Sequence, residues 1–174
     1  MAYYYLLSSL PMLKSDSLPP FSYTEFLDMC KNTVSPHKYT ILKELTPHST
    51  KGPLIAEWAK FYSTLTSELS YQRKMRLGKK AQPVYPKDEE LSKVVTSAMQ
   101  ANPLQGEEEL LSLQFKKLDE LIGTHYFDDY ALMGYALKLK LLERKSQFIK
   151  QTGKAEFDRI VGEIQQQITS MQQE

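Results

Sequence analysis

From Glu107 onward the apolar residues recur at spacings of three and four almost without interruption, and this leaves helix as the only regular structure open to the last third of the chain. Leu111, Phe115, Leu118 and Ile122 follow three acids, Glu107 to Glu109, whose charge suits the positive end of a helix, and Gly123 is a natural stop. After a short link from Thr124 to Phe127, Asp128 or Asp129 is placed to cap a long helix reaching about Gln151. Tyr130, Met133, Gly134, Leu137 and Leu141 form one stripe of it; Leu132, Ala136, Leu139 and Leu142 widen that stripe over much of the circumference. A helix apolar on so many sides needs neighbours on more than one of them. Gly153 closes it, and Phe157, Ile160, Val161, Ile164, Ile168 and Met171 give a final amphipathic stripe.

The earlier chain reads the same way. Ser22 and Glu25 form a capping box ahead of a helix over about Tyr23 to Lys31, with Phe26 and Leu27 inward. Ser35-Pro36 starts another, to about Leu45, with Pro47 closing it. Gly52-Pro53 opens a longer helix whose face is Leu54, Trp58, Phe61, Leu65 and Leu69, stopped at Gly78 behind Arg73, Lys74 and Arg76. Residues 79–87, with Pro83 and Pro86, read as an exposed loop or hinge. Asp88-Glu89-Glu90 begin a helix to about Ala101 whose thin apolar content predicts a peripheral position, and Asn102 to Gly106 predict a break. Tyr3-Tyr4-Tyr5-Leu6-Leu7 fits a short strand or a buried helix equally well. The expectation is an all-α fold of about seven helices in a bundle-like array, with a short N-terminal strand as the one open alternative. Its segments are 1–78, a linker with a peripheral helix over 79–106, and 107–174, together one compact domain.

A chain of 174 residues can bury roughly 70% of the surface its unfolded form exposes, so it needs no disulfide or metal to stay folded. Cys30 is its one cysteine, which rules out an internal disulfide and suits a reducing compartment. A formal charge of +1 gives no electrostatic reason to expect nucleic acid. Met1 to Leu13 is apolar but lacks a basic leading segment and a small-residue cleavage site, so no signal peptide is expected. No stretch approaches the roughly 20 apolar residues of a membrane span.

Catalytic chemistry has little to stand on. His37, His48 and His125 show no metal-ligand spacing with each other or with Cys30. Cys30 reads as a small buried hydrophobe before a nucleophile. Gln151-Thr152-Gly153-Lys154 lacks the first glycine and the preceding strand of a phosphate loop, and the acids at Glu107 to Glu109 suit a solvated helix end better than acid/base work. An enzyme of unfamiliar type would have to use His125 with Asp128 or Asp129. No cofactor and no metal are expected. Two features suggest partner binding instead. Tyr3, Tyr4 and Tyr5 cannot all face one core, so at least one is left for solvent or a partner. Arg73, Lys74, Arg76, Lys79 and Lys80 form the densest basic group, suited to phosphate or an acidic protein surface if it is more than a solvated helix end.

Two stretches carry a resemblance. Tyr3-Tyr4-Tyr5-Leu6-Leu7-Ser8-Ser9-Leu10-Pro11, with Leu18-Pro19-Pro20-Phe21-Ser22, resembles a family of uncharacterised bacterial proteins found alongside V-type ATPase subunits. Phe127-Asp128-Asp129-Tyr130-Ala131-Leu132-Met133-Gly134-Tyr135-Ala136-Leu137-Lys138-Leu139-Lys140-Leu141-Leu142-Glu143, with Gly153-Lys154 and Ile160 beyond, is similar to the last helices of the all-helical socket protein of V/A-type ATPases. The resemblance implies a shortened, all-helical, non-catalytic component or accessory factor of a bacterial H+ or Na+ V-type ATPase. It would link the central stalk to the proteolipid ring on the cytoplasmic face and be peripheral at the inner membrane through the complex. The socket protein of these ATPases is about twice as long as this chain. The alternative is a helical adaptor unrelated to the ATPase that binds a peptide or a partner helix.

Overall fold

The computed structural model of the protein describes residues 3–79, 82, 85–86, 88–147, 153 and 157–164. Among them there is helix and no strand. The elements are α1 (Tyr4–Ser9), α2 (Tyr23–Cys30), α3 (Pro36–Lys43), α4 (Ile55–Arg76), α5 (Glu89–Gln100), α6 (Pro103–Ile122) and α7 (Asp129–Ser146), with residues 157–164 also helical. The chain divides into two compact units, Met1–Glu143 and Arg144–Glu174. The fold is all-α. Tyr4 and Tyr5 belong to α1, with Tyr3 at its N-cap, and not to a strand; Tyr3 and Leu6 stand three apart and bury together on one side.

Local chemistry explains most of the helix boundaries. At α2 the capping box is complete: the Glu25 amide donates to Ser22 Oγ at 3.3 Å and the Ser22 amide to Glu25 Oε2 at 2.7 Å. Pro36 opens α3 at its first position, while the Ser35 side chain makes no capping bond. Asp88 Oδ1 accepts from the amides of Glu90 and Leu91, and Gly123 ends α6 with a φ of +51°. Leu54 lies just ahead of α4 in the left-handed region, at a φ of 63°, where its burial offsets the strain.

Helix α7 runs through the middle of the first unit. Leu132, Met133, Ala136, Leu137, Leu139, Leu141 and Leu142 are all buried, and together they occupy nearly its whole circumference. Its neighbours lie on opposite sides. Toward α6, Gly134 lets Ile122 approach so closely that a Cβ there would meet Ile122 Cδ1 at 2.5 Å, and Lys138 Nζ reaches Asp119 Oδ1 at 2.5 Å. Toward α2 and α3, Glu143 accepts from the Tyr23 amide at 2.5 Å, Lys140 lies 4.0 Å over the Tyr23 ring, and Lys38 pairs with Asp129. Each of the fully buried leucines contributes roughly 1.5–3 kcal/mol through removal from water.

One boundary is corrected in the α4–α5–α6 layer. Helix α5 packs a narrow stripe, Leu91, Val95 and Ala98, against α4 and α6, and the rest of its surface is partly or fully exposed. The predicted break from Asn102 to Gly106 is shorter: it is limited to Ala101 and Asn102, and Pro103 to Gly106 form the first turn of α6. The Asn102 side chain caps it by accepting from the Gln105 amide at 2.9 Å, and Pro103 occupies the first position. Gly106 is there because α5 and α6 touch at that point; a Cβ would stand 2.4 Å from the Ala98 carbonyl oxygen. Helix α7 ends at Ser146 and Gln147 is a turn; the rest of the predicted extension, residues 148–151, lies outside the described residues.

Candidate interaction face

The residues around α1 are organised by one buried anchor. Tyr3 packs into the core, and its hydroxyl accepts from Lys38 Nζ at 3.1 Å. The same ammonium donates to both carboxylate oxygens of Asp129 at 2.6 Å and lies 5.5 Å from the centre of the Tyr3 ring. The hydrogen bond to Asp129, then that to Tyr3, pushes the Lys38 ammonium above its ordinary lysine range against the opposing effect of burial. With Tyr3 and Leu6 directed inward, the next two tyrosines must point out. Tyr4 is 47% exposed and Tyr5 87%.

The turn between α6 and α7 meets them. Phe127 lies 4.7 Å from the Tyr4 ring centre, Tyr5 stands edge-on to Tyr4 at 5.6 Å, and Tyr126 is 6.4 Å from Phe127. Tyr126 is 69% exposed and Phe127 39%. Four aromatic rings, two from α1 and two from the turn before α7, thus form a continuous exposed cluster. Behind it the turn is held firmly. Asp128 accepts from the amides of Tyr130 and Ala131 at 3.0 and 3.2 Å, which makes it the cap of α7 and leaves Asp129 for Lys38. Its second oxygen is bonded to His125 Nδ1, and the His125 ring stacks on Tyr130 at 4.5 Å. Burial works to raise the Asp128 carboxyl, but the bonds from His125 and the two amides outweigh it and hold the group below its usual range.

The predicted basic group lies elsewhere. Arg73, Lys74, Arg76 and Lys79 are exposed at the end of α4, with Arg76 donating to the Met99 carbonyl at 3.0 Å; Lys80 lies outside the described residues. It is not brought together with the tyrosines. Lys74, Tyr71, Gln82 and Tyr85 line a depression of about 310 Å³ beside it.

Sequence reasoning passed over Glu68, which is 2% exposed on α4. Its Oε1 accepts from Gln72 Nε2 at 2.8 Å and from Ser92 Oγ at 2.9 Å, and its Oε2 is bonded by the Tyr85 hydroxyl. Burial first, then the bond to Glu68, raises the Tyr85 hydroxyl well above its ordinary range. The signal was present: Glu68 follows Phe61 by seven residues and so lies on the apolar face of α4. Among the described residues, no buried side-chain nitrogen or oxygen lacks a hydrogen-bond partner.

Of the residues named for chemistry, His125 and Asp128 are brought together in an exposed turn, and the others stay apart. His48 meets the Tyr62 ring edge-on at 4.9 Å, His37 is exposed, and Cys30 is fully buried, its thiol pushed up to about 12 by that burial. Among the described residues no three histidine, cysteine or acidic side chains converge as metal ligands, and no helix is long and apolar enough to cross a membrane.

Residues 85–168 match the family model described as "Protein of unknown function (DUF2764)". The match begins at the tyrosine that bonds Glu68 and takes in α5, α6 and α7, so Tyr126 and Phe127 lie within it and Tyr4 and Tyr5 outside. No curated protein and no solved structure is significantly similar to the chain.

Proposed function

We propose that this chain is a non-catalytic protein-interaction module that receives its partner on the face formed by Tyr4, Tyr5, Tyr126 and Phe127. The observation that carries the reading is the exposure of these four rings, in mutual contact, on a well-anchored backbone. Tyrosine and phenylalanine bury much area at small cost in side-chain entropy, and they are enriched where proteins meet. Fixing their positions in advance through Lys38, Asp129 and Asp128 reduces the ordering that binding would otherwise require.

The partner we infer is the stalk or proteolipid ring of a bacterial V-type ATPase, for which the chain would serve as an accessory factor. This rests on the resemblance of the Tyr3–Ser22 and Phe127–Glu143 stretches, and Tyr4, Tyr5 and Phe127 of the aromatic face come from those stretches. A pull-down from native lysate in mild detergent, with the full chain as bait, tests it by mass spectrometry. Stalk or proteolipid subunits should accompany the wild-type chain and be lost with a Tyr5→Ser, Tyr126→Ser bait. A clean wild-type preparation without them removes the ATPase reading.

One observation favours the adaptor reading. A shallow groove of about 490 Å³ between α5 and α6 is lined by Val94 and Leu113 together with Glu90, Lys93, Glu109 and Lys116, a mixture that suits an amphipathic helix. On that reading Leu113→Lys abolishes partner recovery and the tyrosine substitutions do not.

A further inference from the structure

Along α4 the residues Ser67, Ser70, Tyr71 and Lys74 follow at gaps of three, one and three, so they share one face over two turns. Tyr85 stands across from them. Its hydroxyl is bonded to the buried Glu68, the neighbour of Ser67 in sequence, and this bond holds the ring in place as a wall. Together with Gln82 these side chains line the depression of about 310 Å³. That volume is at the small end of the range for small-molecule sites.

The depression is rich in polar groups that the protein does not use. Among the described residues, the hydroxyls of Ser67, Ser70 and Tyr71, the Gln82 amide and the Lys74 ammonium make no hydrogen bond or ion pair. The remaining lining hydroxyl, that of Thr66, donates to the Tyr62 and Ser63 carbonyls of its own helix. No carboxylate is among the lining side chains. Glu68 lies behind Tyr85 with both oxygens already bonded, one by Gln72 and Ser92 and the other by Tyr85. Nor is Lys74 needed to close α4: the Arg73, Lys74 and Met75 carbonyls accept from the amides of Leu77, Lys79 and Gly78.

An ammonium only donates, and a hydroxyl turns to suit its partner, so this lining fits a ligand with negative charge and several acceptor oxygens. Arg73, exposed beside Lys74, adds to the positive potential. The donors are spread over two helical turns and an opposite wall, more than the two oxygens of a flat carboxylate can engage. We propose that the depression between α4 and Tyr85 is a binding site for a small phosphate-bearing ligand. Lys74 is its charge anchor, and the Ser67, Ser70 and Tyr71 hydroxyls and the Gln82 amide are its neutral partners. The phosphate of a soluble ligand and that of a lipid headgroup present the same chemistry to these groups.

An NMR titration of the isotope-labelled full chain with inorganic phosphate, at constant ionic strength, tests the site. The amide signals of residues 67–74, Gln82 and Tyr85 should shift along a saturable curve. Lys74→Gln should weaken binding about tenfold or more, with unchanged far-UV circular dichroism because the side chain is exposed. Lys51→Gln, at an exposed cation away from the depression, should leave binding unchanged. Pelleting with phosphatidylglycerol vesicles that depends on Lys74 identifies a lipid headgroup as the source; saturable phosphate binding without pelleting identifies a soluble ligand. Shifts that never saturate, together with no pelleting, overturn the proposal. So does binding that Lys74→Gln leaves intact or that Lys51→Gln weakens equally.

Discussion

Lys38 Nζ stands 2.6 Å from both carboxylate oxygens of Asp129, and through this contact α3 is fastened to the first turn of α7. Both side chains are about a third exposed, so the pair is worth less than a buried one. Asp129→Asn should cost about 1 kcal/mol, or roughly 2–4 °C in thermal midpoint for a chain of this size. Lys38 is raised above its unfolded value. The contribution is therefore complete below the unfolded lysine pKa of about 10.4 and is lost as pH rises through the raised folded value. Melting curves of wild type and variant should differ at pH 8 and converge in strong alkali.

Asp128 titrates in the opposite sense. Its folded value lies below the ordinary carboxyl value, so its stabilisation is present above about pH 4 and lost as pH falls through the lower folded value. Asp128→Ala should destabilise by about 1 kcal/mol at neutral pH, the usual cost of a lost cap. The difference from wild type should shrink in acid, which urea titrations at pH 7 and pH 3 would read.

At Glu68 the prediction separates charge from hydrogen bonding. Glu68→Ala removes the acceptor for Gln72, Ser92 and Tyr85 at a buried position, and should cost about 1–3 kcal/mol. Glu68→Gln keeps an acceptor oxygen and should cost less. Denaturant midpoints for the two variants check the order.

Two glycines invite the same substitution with different results. Alanine in place of a mid-helix glycine ordinarily gains up to about 1 kcal/mol. At Gly106 the new Cβ would strike the Ala98 carbonyl, backbone that cannot turn aside, and Gly106→Ala should lose about 1–3 kcal/mol as α5 and α6 separate. At Gly134 the nearest atoms are the far end of the Ile122 side chain, which can rotate, so Gly134→Ala should be the milder of the two in thermal melts.

Neighbouring tyrosines should divide folding from binding. Tyr3→Ala opens a cavity and unties Lys38, and should cost roughly 3–5 kcal/mol in a denaturant titration. Tyr5→Ala should change stability by less than about 0.5 kcal/mol and instead reduce partner recovery. Equal losses of stability from both would remove Tyr5 from the proposed face.

Much of the framework was legible because it is written in local chemistry. The Ser22–Glu25 box, Pro36, Asp88 and Gly123 act within one helical turn, so their effect follows from spacing alone. The broad apolar surface of α7 likewise announced a helix with neighbours on several sides. What was misread has a longer range. Gly106 looked like part of a break, yet it lies in the first turn of α6, where it lets α5 and α6 come close together, and that distance has no signature within either segment.

The sequence by itself determined that this protein is a set of amphipathic helices, where most of them begin, and that three consecutive tyrosines could not share one core. Only tertiary structure decided which tyrosine is buried, that Tyr4 meets Phe127, that Asp128 caps while Asp129 pairs with Lys38, and that Glu68 lies inside. Periodicity reports one helix's own face and is a short-range property; these contacts join residues from 17 to 123 positions apart, and only packing of the whole chain brings them together.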